Sequence, residues 1–173
     1  SYLAATCLIN DNDHVNKNYY MYRDSDGDKE WMMIPWDKDL TLGRNYAPST
    51  GGVLSDQMFA DIDPYCHPLF GDRNHQKIDG GWHRLIDAIY RNPRTQQMYV
   101  RRLWSVMEEQ LQPPNTSASD LKFENRINEL QSEVAAEVIL DVAKWGSPTW
   151  GTYMDFQQGI DQMKNGYFAP RRS

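Results

Sequence analysis

Cysteine is nearly missing from this sequence: Cys7 and Cys66 are the only two in 173 residues. At most one internal disulfide is open to the chain, and the spacing matches neither a zinc ribbon nor a redox Cys-x-x-Cys pair. Long apolar runs are missing too. The longest, WMMI and EVAAEVIL, fall short of the about 18 to 20 residues a membrane-spanning helix requires, so no such span is expected. Basic charge is not in excess, since 18 Lys and Arg face 24 Asp and Glu for a net charge of −6. That balance argues against a nucleic-acid partner, which normally needs a concentrated basic face. Glycine-rich phosphate loops are absent: STGGV and DGGWH lack the G-x-G-x-x-G spacing. Finally, SYLAATCLIN has no initiator methionine, charged leader or cleavage signal, and reads instead as the inside of a helix.

What is present suffices for a core. Hydrophobic residues make up 40% of the chain, with six Trp and ten Tyr, and the length is that of one domain, 1–173. Leu3, Ala4, Cys7 and Leu8 share one helical face. A polar loop leads to YYMYR and WMMI, which read as a short β-hairpin joined by DSDGDKE. From Trp36 to Gly81, proline and glycine scattered among small apolar clusters predict a long irregular segment.

A helical body is expected over 82–168. Trp82, Leu85, Ile86 and Ile89 form one stripe; Asn92-Pro93 supplies a cap and an N1 proline for the next helix. Val100, Leu103, Trp104, Met107 and Leu111 then mark a buried face that QPPN ends. The longest helix should bury Phe123, Ile127, Leu130, Val134, Val138 and Val142 and stop at Gly146. A last helical stretch holds Tyr153, Phe156, Ile160 and Met163 before NGYFAPRRS. The fold class is mainly α with a small β-hairpin.

The chemistry concentrates in residues 10–43, NDNDHVNKNYYMYRDSDGDKEWMMIPWDKDLTLG. A helix delivers the chain to Asp13, a hairpin follows Asn18, and its return strand leads to Asp37 and Asp39. Kinase-type phosphotransfer sites use these parts: an Asp that accepts the hydroxyl proton, an Asn five residues on, and a second Asp on the metals. Mg²⁺ or Mn²⁺ bridging phosphates wants a few oxygen ligands, which two carboxylates and one amide supply.

NDHVNKNYYMYRD and WMMIPWDKDLTLG resemble the Asp-x-x-x-x-Asn-Tyr-Tyr-Leu-Tyr and Pro-Trp-Asp-x-Asp-x-x-x-Gly signature of the spore coat protein H (CotH) kinases. HPLF, RNPRTQQMYVRRL and YFAPRR also sit where that family places helices of its C-terminal half. The resemblance implies the C-terminal lobe of an atypical protein-kinase fold, using ATP to phosphorylate Ser or Thr of coat or surface proteins. It makes Asp13 the catalytic residue, Asn18 and Asp37 the metal and nucleotide ligands, and Asp39 an auxiliary or alternative ligand. It also implies an N-terminal lobe carrying a phosphate-contacting lysine, which these 173 residues do not contain. The chain is therefore expected to be part of a longer secreted, cell-surface or spore-coat protein, and silent alone.

Other readings stay beside this one. Asp13 and Asn18 taken alone suit a turn. DSDGDKE has a calcium-loop composition, but Lys29 and Pro35 stand where an EF-hand needs Gly and Glu. Cys66, His67, His75 and His83 fit no compact zinc pattern, and Arg91, Arg94, Arg101 and Arg102 read as a solvated basic face. A pseudokinase-like or structural coat module that binds a partner without phosphotransfer is the alternative function.

Overall fold

The computed structural model describes residues 1–11, 18–42, 84–146 and 155–172, together with the backbone of 44–47 and 53–56. Asp13, Cys66, the four histidines, Trp82 and Tyr153 lie outside the described residues. Contacts divide the chain into two units, Ser1–Arg44 with Phe59–Trp104 and Asn45–Met58 with Ser105–Ser173.

In the first unit, α1 (Tyr2–Leu8) buries Leu3, Ala4, Cys7 and Leu8, as its apolar stripe predicts. Thr6 is buried with them because its hydroxyl donates to the Leu3 carbonyl at 3.0 Å. Leu3 packs on Ile86 of α2 (Arg84–Arg91), ringed by Tyr2, Ile89, Tyr90 and Tyr99. Ile86 is 1% exposed, and full burial of such a side chain contributes about 1.5–3 kcal/mol. Helix α3 (Pro93–Val106) starts where expected, with Asn92 Oδ1 accepting from the Arg94 N–H at 3.0 Å.

Between these helices in sequence lies the hairpin. Strands β1 (Tyr19–Arg23) and β2 (Trp31–Pro35) pair antiparallel, from Tyr19 opposite Pro35 to Arg23 opposite Trp31. DSDGDKE is a solvated turn: Asp24 accepts from the Asp26 and Gly27 amides, and Asp28 from that of Glu30. The segment expected to be irregular contains two strands, β3 (Arg44–Ala47) and β4 (Val53–Asp56), which form a second sheet. Neither RNYA nor VLSD alternates apolar with polar residues, so the pattern that marks a strand is missing from both.

The second unit is helical in its described C-terminal part. A π-helical turn (Met107–Leu111) ends at Gln112, whose φ is +71°. Gln112 then spans the gap to α4 (Lys122–Trp145), donating to the Asp120 carbonyl and accepting from the Lys122 N–H, both at 2.8 Å. Gly146, with φ +80°, ends α4 as predicted. Helix α5 (Phe156–Asp161) opens with a capping box between Asp155 and Gln158.

The helix runs on past Asn165-Gly166 as a π-helical segment (Gln162–Phe168), within the helical body expected over 82–168, and into α6 (Ala169–Arg171), burying Tyr167 and Phe168. Phe123 stacks on Phe168 at 4.4 Å, so aromatic burial overrides a local stop signal. One expectation fails, that of burial: Leu85 of α2, Val100 and Trp104 of α3, Met107, and Leu130, Val134 and Val142 of α4 are exposed, Trp104 at 64%. Periodicity names the side of a helix that can be buried, not what covers it. The architecture is mainly α with a small antiparallel hairpin, and no helix among the described residues is long and apolar enough to cross a membrane.

Candidate functional site

The end of α1 is built to turn. Ile9 N–H bonds to the Ala5 carbonyl, Asn10 N–H to Cys7 and Asp11 N–H to Thr6, and Asn10 takes φ +49°. The reversal drives Asp11 inward until it is 1% exposed. A carboxylate there requires a partner, and Lys38 supplies it, with Nζ 2.8 Å from Oδ2. The same ammonium lies 5.8 Å from the centre of the Tyr2 ring, a cation–π distance. Tyr2 in turn meets Tyr19 edge-on at 6.4 Å. Burial raises the Tyr2 phenol above its usual range, and the Lys38 charge pulls against that shift.

Across the hairpin, the Trp36 N–H donates to the Asn18 carbonyl at 3.1 Å, one step beyond the last ladder pair. This brings Asn18 and Asp37 to the same end of the hairpin. Both are left-handed, at φ +61° and +52°, a conformation Asn and Asp tolerate better than most residues. Lys38 is half-buried between Asp37 and Asp39, which are exposed. Leu42, at φ +57°, closes the segment by donating its N–H to the Ile9 carbonyl at 2.6 Å.

Of the residues predicted for the site, Asn18 and Asp37 come together, Asp39 lies two residues on, and Asp13 is outside the described residues. The donors that remain, two exposed carboxylates and an amide, fit Mg²⁺, which takes oxygen ligands, uses one or two carboxylates and keeps waters and phosphates in its shell. Among the described residues no three His, Cys, Asp or Glu side chains form a metal-binding group. The calcium-like turn uses carboxylates of Asp24 and Asp28 on its own amides, and Arg91, Arg94, Arg101 and Arg102 are exposed, as a solvated face would be.

Sequence reasoning passed over Asp11 and Lys38. Asp11 stands two residues before Asp13 in NDND, and Lys38 interrupts two acidic residues in WDKD. A lone cation between two candidate metal ligands was the available signal.

The whole chain matches a kinase family model, which makes this an atypical kinase-like protein. The family model described as CotH kinase protein matches residues 1–173, and the chain belongs to that family. A search of curated proteins gave no match, and a search of solved structures gave none.

Proposed function

We propose that this chain is the catalytic, C-terminal lobe of an atypical protein kinase that transfers the γ-phosphate of ATP to a Ser or Thr hydroxyl of coat or surface proteins. The observation that supports this most directly is the hairpin register, in which Asn18 bonds Trp36, the residue before Asp37, with Asp39 two residues further along the chain. Asn18 and Asp37 would hold Mg²⁺, with Asp39 as an auxiliary ligand. Bound there, the ion would neutralise charge on the phosphates. Asp13 accepts the proton of the substrate hydroxyl as its oxygen bonds to the γ-phosphorus; the bond to the β-phosphate oxygen breaks and ADP leaves. The family's other lobe, with its phosphate-contacting lysine, completes the nucleotide site in this reading, and the protein works at a spore coat or cell surface.

The test is radiolabelled phosphate transfer from Mg-ATP in full-length protein. Asp37→Ala should lower transfer by at least about a hundredfold through loss of a ligand, while Asp13→Asn should lower turnover with nucleotide binding largely kept. Wild-type rates in both variants would favour a module that binds without transferring phosphate.

A further inference from the structure

We infer that Asp11 and Lys38 are a positioning pair: together they fix the segment carrying Asp37 and Asp39 against the end of α1, and they hold the Lys38 ammonium away from those carboxylates. The inference rests on the site assignment above. Two tethers carry it. The ion pair joins Lys38 to Asp11 at 2.8 Å, and the Leu42 N–H reaches the Ile9 carbonyl at 2.6 Å. Residues 38–42, Asp39 among them, are thereby bound at both ends to the three residues that follow α1. Asp37 precedes this span directly, and Asp13 follows Asp11 by two residues. The pair thus fixes the start of the segment next to Asp37.

Burial supports the assignment. The Asp11 side chain is 1% exposed and that of Lys38 20%, and Tyr2 covers the ammonium, so neither charge is offered to solvent as Asp37 and Asp39 are. The backbone is left-handed at Asn10, Asp37 and Leu42, within or next to the two tethered stretches. Conformations of that kind persist only where surrounding structure over-determines them. The charges make a second point. A loose ammonium between Asp37 and Asp39 would compete with a divalent cation, and Asp11 removes it from that competition.

Mn²⁺ alone, titrated into full-length protein and followed by the paramagnetic resonance signal of the free ion, tests this without turnover. Removing a cation beside metal ligands should tighten Mn²⁺ if Lys38 acts only through its charge. If the pair positions the ligands, Lys38→Met should instead weaken Mn²⁺ about tenfold, the scale on which outer-shell partners act. Lys38→Arg, which keeps the pair, should stay within about threefold of wild type, taking that outer-shell scale as the yardstick. Should Lys38→Met unfold with Asp11 uncompensated, the neutral double variant Asp11→Asn with Lys38→Met leaves no buried charge, and it should show the same weakening. Unchanged or tighter Mn²⁺ in the folded neutral variants overturns the inference. Asp37→Ala separates the two levels. If it binds Mn²⁺ like wild type, the site assignment is wrong and the inference falls with it; if it loses Mn²⁺ while the neutral variants keep it, only the positioning pair is refuted.

Discussion

The stretch from Asn10 to Leu42 and the helices from Arg84 to Arg172 are stabilised in opposite ways. Of the six described non-glycine residues with positive φ, five fall in the first region and only Gln112 in the second. In the first, the turn after α1 drives Asp11 inward against Lys38. In the second, chain ends are satisfied: the Asp155 capping box, the Asn92 cap and the Gln112 amide each answer backbone groups a helix leaves open. Apart from Lys29 in the hairpin turn, the left-handed residues of the first region lie at or beside the proposed site, as expected if strained backbone is kept for function.

The helical region should break hardest at Arg172. Its guanidinium holds both oxygens of Glu124, at 2.5 and 2.6 Å, and donates from Nε to the Leu111 carbonyl at 2.7 Å. The two side chains are 6% and 13% exposed, so Arg172→Met leaves a largely buried carboxylate without its cation. Removing one partner of such a pair costs about 3–5 kcal/mol, a fall of about 10 °C in melting temperature for a chain of this size. Replacing Glu124 by Leu as well should recover most of the loss. Calorimetry on the two variants decides it: an unmoved transition in Arg172→Met would mean that the helical region does not depend on satisfied ends.

How much of this was legible follows from range. The α1 stripe, the Asn92-Pro93 start and the Gly146 stop are local signals, and each appears where the sequence put it. The nearness of Asn18 and Asp37 followed from hairpin pairing, because two adjacent strands fix which ends meet. The Asp11–Lys38 pair joins positions with a hairpin between them, and no periodicity encodes which carboxylate is turned inward. The helix runs through Asn165-Gly166, a poor helical pair, because burying Tyr167 and Phe168 beyond it gains more than ending the helix there.

A smaller effect should come from the backbone itself. Lys29 sits in the exposed turn at φ +62°, and Asp37 at the site at +52°. Glycine relieves left-handed strain of about 1–2 kcal/mol but loses part of that gain to the greater freedom of the unfolded chain. Lys29→Gly should therefore stabilise by a few tenths to about 1 kcal/mol with phosphotransfer unchanged. Asp37→Gly should gain a similar amount and lose phosphotransfer. Denaturant melts paired with the transfer assay would show it; if Asp37→Gly destabilises, its carboxylate serves the fold and the contrast between the regions weakens.

The smallest expected effect sets Tyr2, beneath the site, against Tyr99 in the helical region. Burial raises the Tyr99 phenol far above its usual range, with further upward pushes from Cys7 and Tyr90. Burial raises Tyr2 as well, but the Lys38 ammonium favours its phenolate and opposes the shift. A folded-state pKa above the unfolded value near 10 means that the folded chain keeps a proton the unfolded chain releases. Stability from this source is fully present below about pH 10 and falls as pH rises beyond it. Tyr99→Phe keeps the ring that meets Tyr90 edge-on at 6.2 Å and removes the ionising hydroxyl, so its melting temperature should decline less steeply than wild type between about pH 10 and 11. Tyr2→Phe should flatten the decline less, because Lys38 has already offset part of the shift. Parallel melts against pH read both slopes. Equal flattening by the two variants would mean that the Lys38 charge is not felt at Tyr2, and would remove one of the contacts that tie this residue to the pair beneath the site.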